Sequence, residues 1–174
     1  QQALVPVALG LRSPKSIAVL PDGSKVYVTD ENSDHIGVIN NETKTPMAPI
    51  AAGGASSGIA VSPDGAYIYV SSTGLGGAGT VKVVRTSDNS LVRSISVGRN
   101  PKGLSLTPDG TRIYVACSGS TVSNGSVYMI DNQHPDAGST EILVSGPPAS
   151  YGTFITGGTG CAGADLRAAA LRHL

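Results

Sequence analysis

The phrase "LPDGSKVYV" at residues 20–28 returns as "SPDGAYIYV" at 62–70 and as "TPDGTRIYV" at 107–115, at intervals of 42 and 45 residues. No other feature limits the fold so tightly, because self-similarity at roughly 20–50 residues marks solenoids, propellers or arrays. The Pro-Asp-Gly core suits a type I turn. Proline presets the second position, aspartate tolerates the third, and glycine supplies the positive φ that follows.

The residues around each turn are strand-like. "SIAVL" precedes Pro21 and "KVYV" follows Gly23; "GIAVS" and "YIYV" flank the second turn, "GLSLT" and "RIYV" the third. Each Pro-Asp-Gly therefore joins two short antiparallel strands. A third strand follows in each unit ("HIGVIN", "TVKVVR", "SVYMID"). After a polar turn comes a fourth, around "PMAPIAA", "LVRSISV" and "TEILVSG". Four short strands per unit predict an all-β fold, a β-propeller of four-stranded antiparallel blades.

Alternation agrees. Val26 and Val28 point one way and Tyr27 the other, and the triplets Ile68/Tyr69/Val70 and Ile113/Tyr114/Val115 repeat the arrangement. Both faces carry large apolar or amphipathic groups, as in a sheet sandwiched between two others. A β-sandwich of unrelated hairpins does not explain three matching phrases in one phase.

The motif Pro-x-x-(Ile/Leu)-(Ala/Ser)-(Val/Leu)-x-Pro-Asp-Gly-x-x-(Val/Ile)-Tyr-Val, with its "TVKVV"-like and "VRSISVG"-like strands, resembles the YVTN β-propeller repeat over about residues 3–157. "VYVTD" at 26–30 lies within one residue of the family's namesake. The resemblance implies a propeller found in surface-layer and in periplasmic or exported proteins, and more distantly in lactonase-like enzymes. It implies fold far more than function.

Three full blades are expected, at about 13–54, 55–99 and 100–146, with partial blades at both ends. "ALVPVALG" (3–10) reads as a leading outermost strand, and "YGTFITGG", within 147–158, matches the start of a further blade. Residues 159–174 break the pattern, and their Ala, Leu and Arg favour a short helix from about Ala164. Closed propellers have about 4–8 blades. An incomplete ring is thus expected, completed by a longer parent chain, a protein partner or self-association, because open sheet edges and faces invite pairing; the alternative is an open array capped by the terminal helix. Gln1 in place of an initiating Met fits a removed leader or a longer parent.

Composition narrows the partners. Twelve basic and twelve acidic residues cancel, and no basic stripe is visible, so nucleic acid is not expected as a partner. No run reaches the roughly 18 apolar residues of a membrane helix, so no membrane insertion is expected. Trp is absent and Phe154 is the sole Phe, which leaves Val, Ile and Leu to build the core. Cys117 and Cys161 lack metal-ligand spacing, and whether they pair stays open.

Candidate chemistry gathers on the predicted loop face. Arg12/Lys15 and Arg99/Lys102 hold matching positions near where a central channel would run, and four cations there could attract an anionic ligand or a glycan. The alternative is solvated turn charge. Asp30, Asp34 and His35, with Glu31, offer oxygen and imidazole donors for a divalent ion, without EF-hand spacing or a histidine pair. The turn aspartates Asp22, Asp64 and Asp109 and the strand tyrosines are read as structural. "TGLGGAGT" precedes a strand and lacks the Gly-Lys-Ser/Thr ending of a phosphate loop, so no cofactor is expected. Asn41 and Asn124 stand in glycosylation sequons. These features point to a non-enzymatic binding or structural module, extracellular or periplasmic, contacting protein or glycan through its loops. A lactonase-like hydrolase using Asp30, Asp34 and His35 near the channel mouth is the alternative. A weaker third reading is a propeller subunit supporting a redox partner.

Overall fold

In the computed structural model of the protein, the described residues are 6–120, 125–133 and 139–142. Twelve strands form three four-stranded antiparallel sheets, each running in chain order from inner to outer strand. The first holds β1 (Pro14–Val19), β2 (Lys25–Asp30), β3 (His35–Asn40) and β4 (Thr45–Ala51). The second holds β5 (Ala55–Val61), β6 (Tyr67–Thr73), β7 (Gly79–Arg85) and β8 (Leu91–Val97). The third holds β9 (Pro101–Leu106), β10 (Arg112–Cys117), β11 (Ser126–Asp131) and β12 (Ser139–Ile142). The architecture is a partial β-propeller, and the sheets are its blades.

The repeated phrase builds the same turn three times. Gly23, Gly65 and Gly110 have φ of +73°, +72° and +70°, where a side chain is strained. Their amides donate to Leu20, Ser62 and Thr107 carbonyls at 2.8, 2.9 and 2.8 Å. The aspartate of each turn accepts from the amide two residues on: Ser24 at 2.9 Å, Ala66 and Thr111 at 3.0 Å. These bonds favour the ionised carboxylate. For Asp109 the Thr107 hydroxyl, then the Thr111 amide and hydroxyl, bring the carboxyl down to about 2.

Alternation directs the packing. Between the first two blades, Tyr27, Ile36, Val38 and Ile50 meet Ile59, Ile68, Val70 and Val84. Between the second and third, Tyr69, Val81, Val83 and Ile95 meet Leu104, Ile113, Val115 and Ile130. Every blade thus carries an incoming face, built on Ile17, Ile59 or Leu104, and an outgoing face, built on Tyr27, Tyr69 or Tyr114.

Two polar ties repeat across these interfaces. The Tyr27 hydroxyl donates to Asn89 Oδ1 at 2.9 Å, and the Tyr69 hydroxyl accepts from Asn132 Nδ2 at 2.8 Å; both asparagines lie in the turn after the next blade's third strand. Deeper in, Thr29 Oγ1 donates to the Ser57 carbonyl at 2.8 Å and Ser71 Oγ to the Lys102 carbonyl at 2.6 Å. Each hydroxyl also accepts an amide of its own blade's inner strand, Ser16 at 3.0 Å and Gly58 at 2.8 Å. The inner strand leaves register in both places, between Pro14 and Ile17 and between Ser56 and Ile59. The hydroxyl takes up an amide that the bulge removes from the ladder.

The leading strand expected at 3–10 is corrected where it is described. Residues 6–10 belong to no strand. Pro6 offers no amide to a ladder, and Leu9 and Leu11 instead lie against β3, where both would touch a Cβ placed on Gly37, at 3.1 Å. The further blade at 147–158, the helix expected within 159–174, and Cys161 and Asn124 all lie outside the described residues. Among the described residues no helix is long and apolar enough to cross a membrane.

Candidate functional site

The links between blades and the links after each second strand meet at one end of the sheets. Asp30, at the end of β2, is buried and organises the first junction. Its carboxylate accepts the amides of Arg12 at 2.6 Å, Ser13 at 3.0 Å and Asn32 at 2.9 Å. Burial opposes its ionisation, yet the amide bonds from Asn32, Arg12 and Ser13 and the Ser33 hydroxyl outweigh that and hold it below the ordinary carboxylate range. Asp30 is therefore a brace for the loops.

This geometry takes Asp30 out of the expected ion-binding set. Its oxygens face backbone amides, while Asp34 Oδ1 pairs with His35 Nδ1 at 2.6 Å in half-exposed surroundings. Among the described residues no group of three His, Cys, Asp or Glu side chains is placed to hold a metal ion.

The four expected cations separate into three environments. Lys15, at the start of β1, and Lys102, at the start of β9, both reach Glu31. The contacts are 3.0 Å to Oε2 and 3.4 Å to Oε1, although 71 residues separate Lys102 from Glu31. The Lys15 hydrogen bond, opposed by partial burial and helped by Lys102, keeps the Glu31 carboxyl below its usual value. Arg99 turns away and donates through Nη2 to the Gly76 carbonyl, in a loop where Gly76 and Gly77 have φ of +68° and +81°. Arg12 is exposed and borders an open cavity of about 420 Å³.

That cavity has an apolar wall of Leu9, Leu11 and Pro49 and a polar wall of Arg12, Asn32, Asp34 and His35. The cavity is wide open to solvent, and apolar and polar groups share its lining. Sequence reasoning placed Glu31 in the acidic cluster and missed its role between two lysines. The matching positions of Lys15 and Lys102 were the available signal, but the carboxylate joining them follows only from the blade arrangement. The apolar wall left no signal, because residues 6–10 read as a strand.

Asn41 has a structural bond of its own. Its Nδ2 donates to the Gly23 carbonyl at 2.8 Å, as Asn132 Nδ2 does to Gly110 at 3.0 Å and Thr86 Oγ1 to Gly65 at 2.7 Å. Three blades thus tie the outer turn to the Pro-Asp-Gly turn through the same position.

No curated protein sequence matches the chain. Among solved structures, the chain is similar to hydrazine synthase of Kuenenia stuttgartiensis, with 30% identity and a TM-score of 0.67 over 74% of this chain and 37% of that one. It is also similar to a putative 6-phosphogluconolactonase of Bacteroides fragilis, at 20% identity and a TM-score of 0.58, over 74% and 37%. A third similar structure, a functionally unknown protein of Desulfotomaculum acetoxidans, has 17% identity and a TM-score of 0.57, over 72% and 41%. The chain thus spans well under half the length of these structures, and the two less identical ones inform the fold alone. The Choice-of-anchor I domain family matches residues 15–146, which take in the three described blades apart from Pro14. The chain belongs to the Choice-of-anchor I domain family.

Proposed function

We propose that the chain is a non-enzymatic binding and structural module with YVTN-type repeats, exported to the periplasm or cell surface. It presents its loop end to a protein or glycan and is completed by a further sheet. One observation carries the reading. Lys15 and Lys102, from the first and third blades, converge on the single carboxylate of Glu31, the chain neighbour of Asn32 in the lining of the cavity that Arg12 borders. Asp30 and Asp34 balance the charge of the loop end as a whole, but at this point two half-exposed ammonium groups share one carboxylate. That local arrangement favours an acidic group of the partner, such as the sulfate or uronate of a glycan.

The test is calorimetric titration with a sulfated oligosaccharide at low and physiological salt. Lys15→Ala combined with Lys102→Ala is expected to weaken binding by roughly tenfold or more, with a smaller slope against salt. Unchanged affinity removes the reading. The lactonase-like alternative predicts instead a tightly held divalent ion and turnover of a small lactone, with loss of both in Asp34→Asn and His35→Ala.

A further inference from the structure

We propose that the site between Lys15 and Lys102 is occupied by the protein's own carboxylate, that of Glu31, and opens to a sulfate ester of a glycan, which displaces Glu31 and adds a bond to Ser57. The inference rests on the reading of the loop end as a binding surface for an acidic group. It names that group and what competes with it.

The repeat sets three residues at one level of the inner strands. Lys15, Ser57 and Lys102 each stand six residues before the proline of their turns. Backbone bonds fix the equivalence. The Ser57 and Lys102 carbonyls each accept a hydroxyl of the preceding blade, from Thr29 at 2.8 Å and from Ser71 at 2.6 Å. The amides just after Lys15 and Ser57, those of Ser16 and Gly58, donate to the same two hydroxyls, Thr29 at 3.0 Å and Ser71 at 2.8 Å. A serine therefore holds, in the middle blade, the position that lysines hold on either side.

Glu31 serves the two lysines and not the serine. Its Oε2 accepts from Lys15 Nζ at 3.0 Å and its Oε1 from Lys102 Nζ at 3.4 Å, so each oxygen has one ammonium group. Ser57 is 6% exposed, and among the described residues its hydroxyl has no hydrogen-bond partner. No side-chain oxygen or nitrogen there is both sealed from solvent and unbonded. The hydroxyl is thus the part of Ser57 that meets solvent, an unused donor in an otherwise buried residue.

Three donors and two carboxylate oxygens leave one bond unmade. A sulfate ester carries the same single negative charge as Glu31 but three terminal oxygens, one for each lysine and one for Ser57. A uronate has only two and would replace Glu31 like for like. Displacement is cheap, because exposed ion pairs are weak and here the Glu31 and lysine side chains are 32% and 51% exposed. It still lowers the apparent affinity by the fraction of molecules in which Glu31 is seated.

Calorimetry with a heparin-derived tetrasaccharide, with tetragalacturonate and with inorganic sulfate tests the proposal. The wild-type chain is expected to bind the sulfated tetrasaccharide more tightly than either of the others. Glu31→Gln should tighten that binding by roughly three- to tenfold, since the lysines lose their internal partner. Ser57→Ala should weaken it by a similar factor, while leaving tetragalacturonate binding and the unfolding curve unchanged. Equal or weaker binding in Glu31→Gln overturns the competitor. Unchanged binding in Ser57→Ala, or no preference for sulfate over uronate, overturns the sulfate ester, and inorganic sulfate bound as tightly as the tetrasaccharide overturns the glycan. Lys15→Ala with Lys102→Ala separates these failures from that of the underlying reading. If that variant loses binding while Glu31→Gln and Ser57→Ala match the wild type, only this inference falls. If it keeps wild-type affinity, or no chain binds any of the three, both fall.

Discussion

Ile17 and Ile59 occupy the same place in the same repeat, four residues before the proline of their turns, and their surroundings could hardly differ more. Ile59 packs into the core between the first two blades, and Ile17 stands two-thirds exposed. Local chemistry is nearly identical, with the same strand, bulge and Pro-Asp-Gly turn. The difference arises wholly from whether a neighbouring sheet lies in front. In this protein a repeat specifies an interface, and burial depends on there being a second half to that interface.

Ile59→Ala should cost about 2–5 kcal/mol, through lost transfer energy plus a cavity, while Ile17→Ala should fall within about 0.5 kcal/mol. Urea unfolding of dilute protein measures both. Equal losses at the two sites would break the contrast and mean that β1 is covered in solution.

Ser71→Ala should cost about 1–3 kcal/mol, because the Gly58 amide and the Lys102 carbonyl both lose a buried partner. The same readout on Thr29→Val probes the first interface, where Ser16 and Ser57 lose theirs. A loss at Ser71 and none at Thr29 would show that the two internal interfaces are not equivalent.

Tyr27→Phe should cost about 1 kcal/mol near neutral pH, the usual worth of one hydrogen bond. It should also change the alkaline limb of the stability profile. Burial, with a smaller contribution from Asp22, pushes the Tyr27 phenol up to about 12, against 10.0 when unperturbed. The unfolded chain releases this proton first, so stability is complete below about pH 10 and declines as pH rises towards 12. Unfolding curves from pH 8 to about 12 should show a shallower decline in the Phe variant. An identical decline would assign the alkaline sensitivity to other groups, Tyr69 first, since burial raises it too.

Much of the fold was legible because the repeat carries its own local chemistry. Pro-Asp-Gly encodes a turn, alternation encodes two buried faces, and both recur in phase. The site was legible only in part. Lys15 and Lys102 announced themselves by matching positions, but Glu31 between them is a contact across 71 residues of sequence, which no local pattern encodes. Asp30 suggested metal chemistry through its residue type, whereas its oxygens serve three amides, because loop closure required acceptors at that point. Residues 6–10 looked like a strand through their apolar spacing. A strand needs a partner with free amides and carbonyls, and here Leu9 and Leu11 met the face of a sheet instead.

By itself, then, the sequence determined the unit: four short strands, a glycine-dependent turn, and a tyrosine and a valine pointing to opposite sides. Such preferences act over a few residues and need no knowledge of what lies across a gap. Only the tertiary structure decided which copies of that unit are core and which are surface, and which distant charges meet. Burial and Coulomb contact depend on distance in space, and three equivalent isoleucine or leucine side chains become different residues once the sheets are stacked.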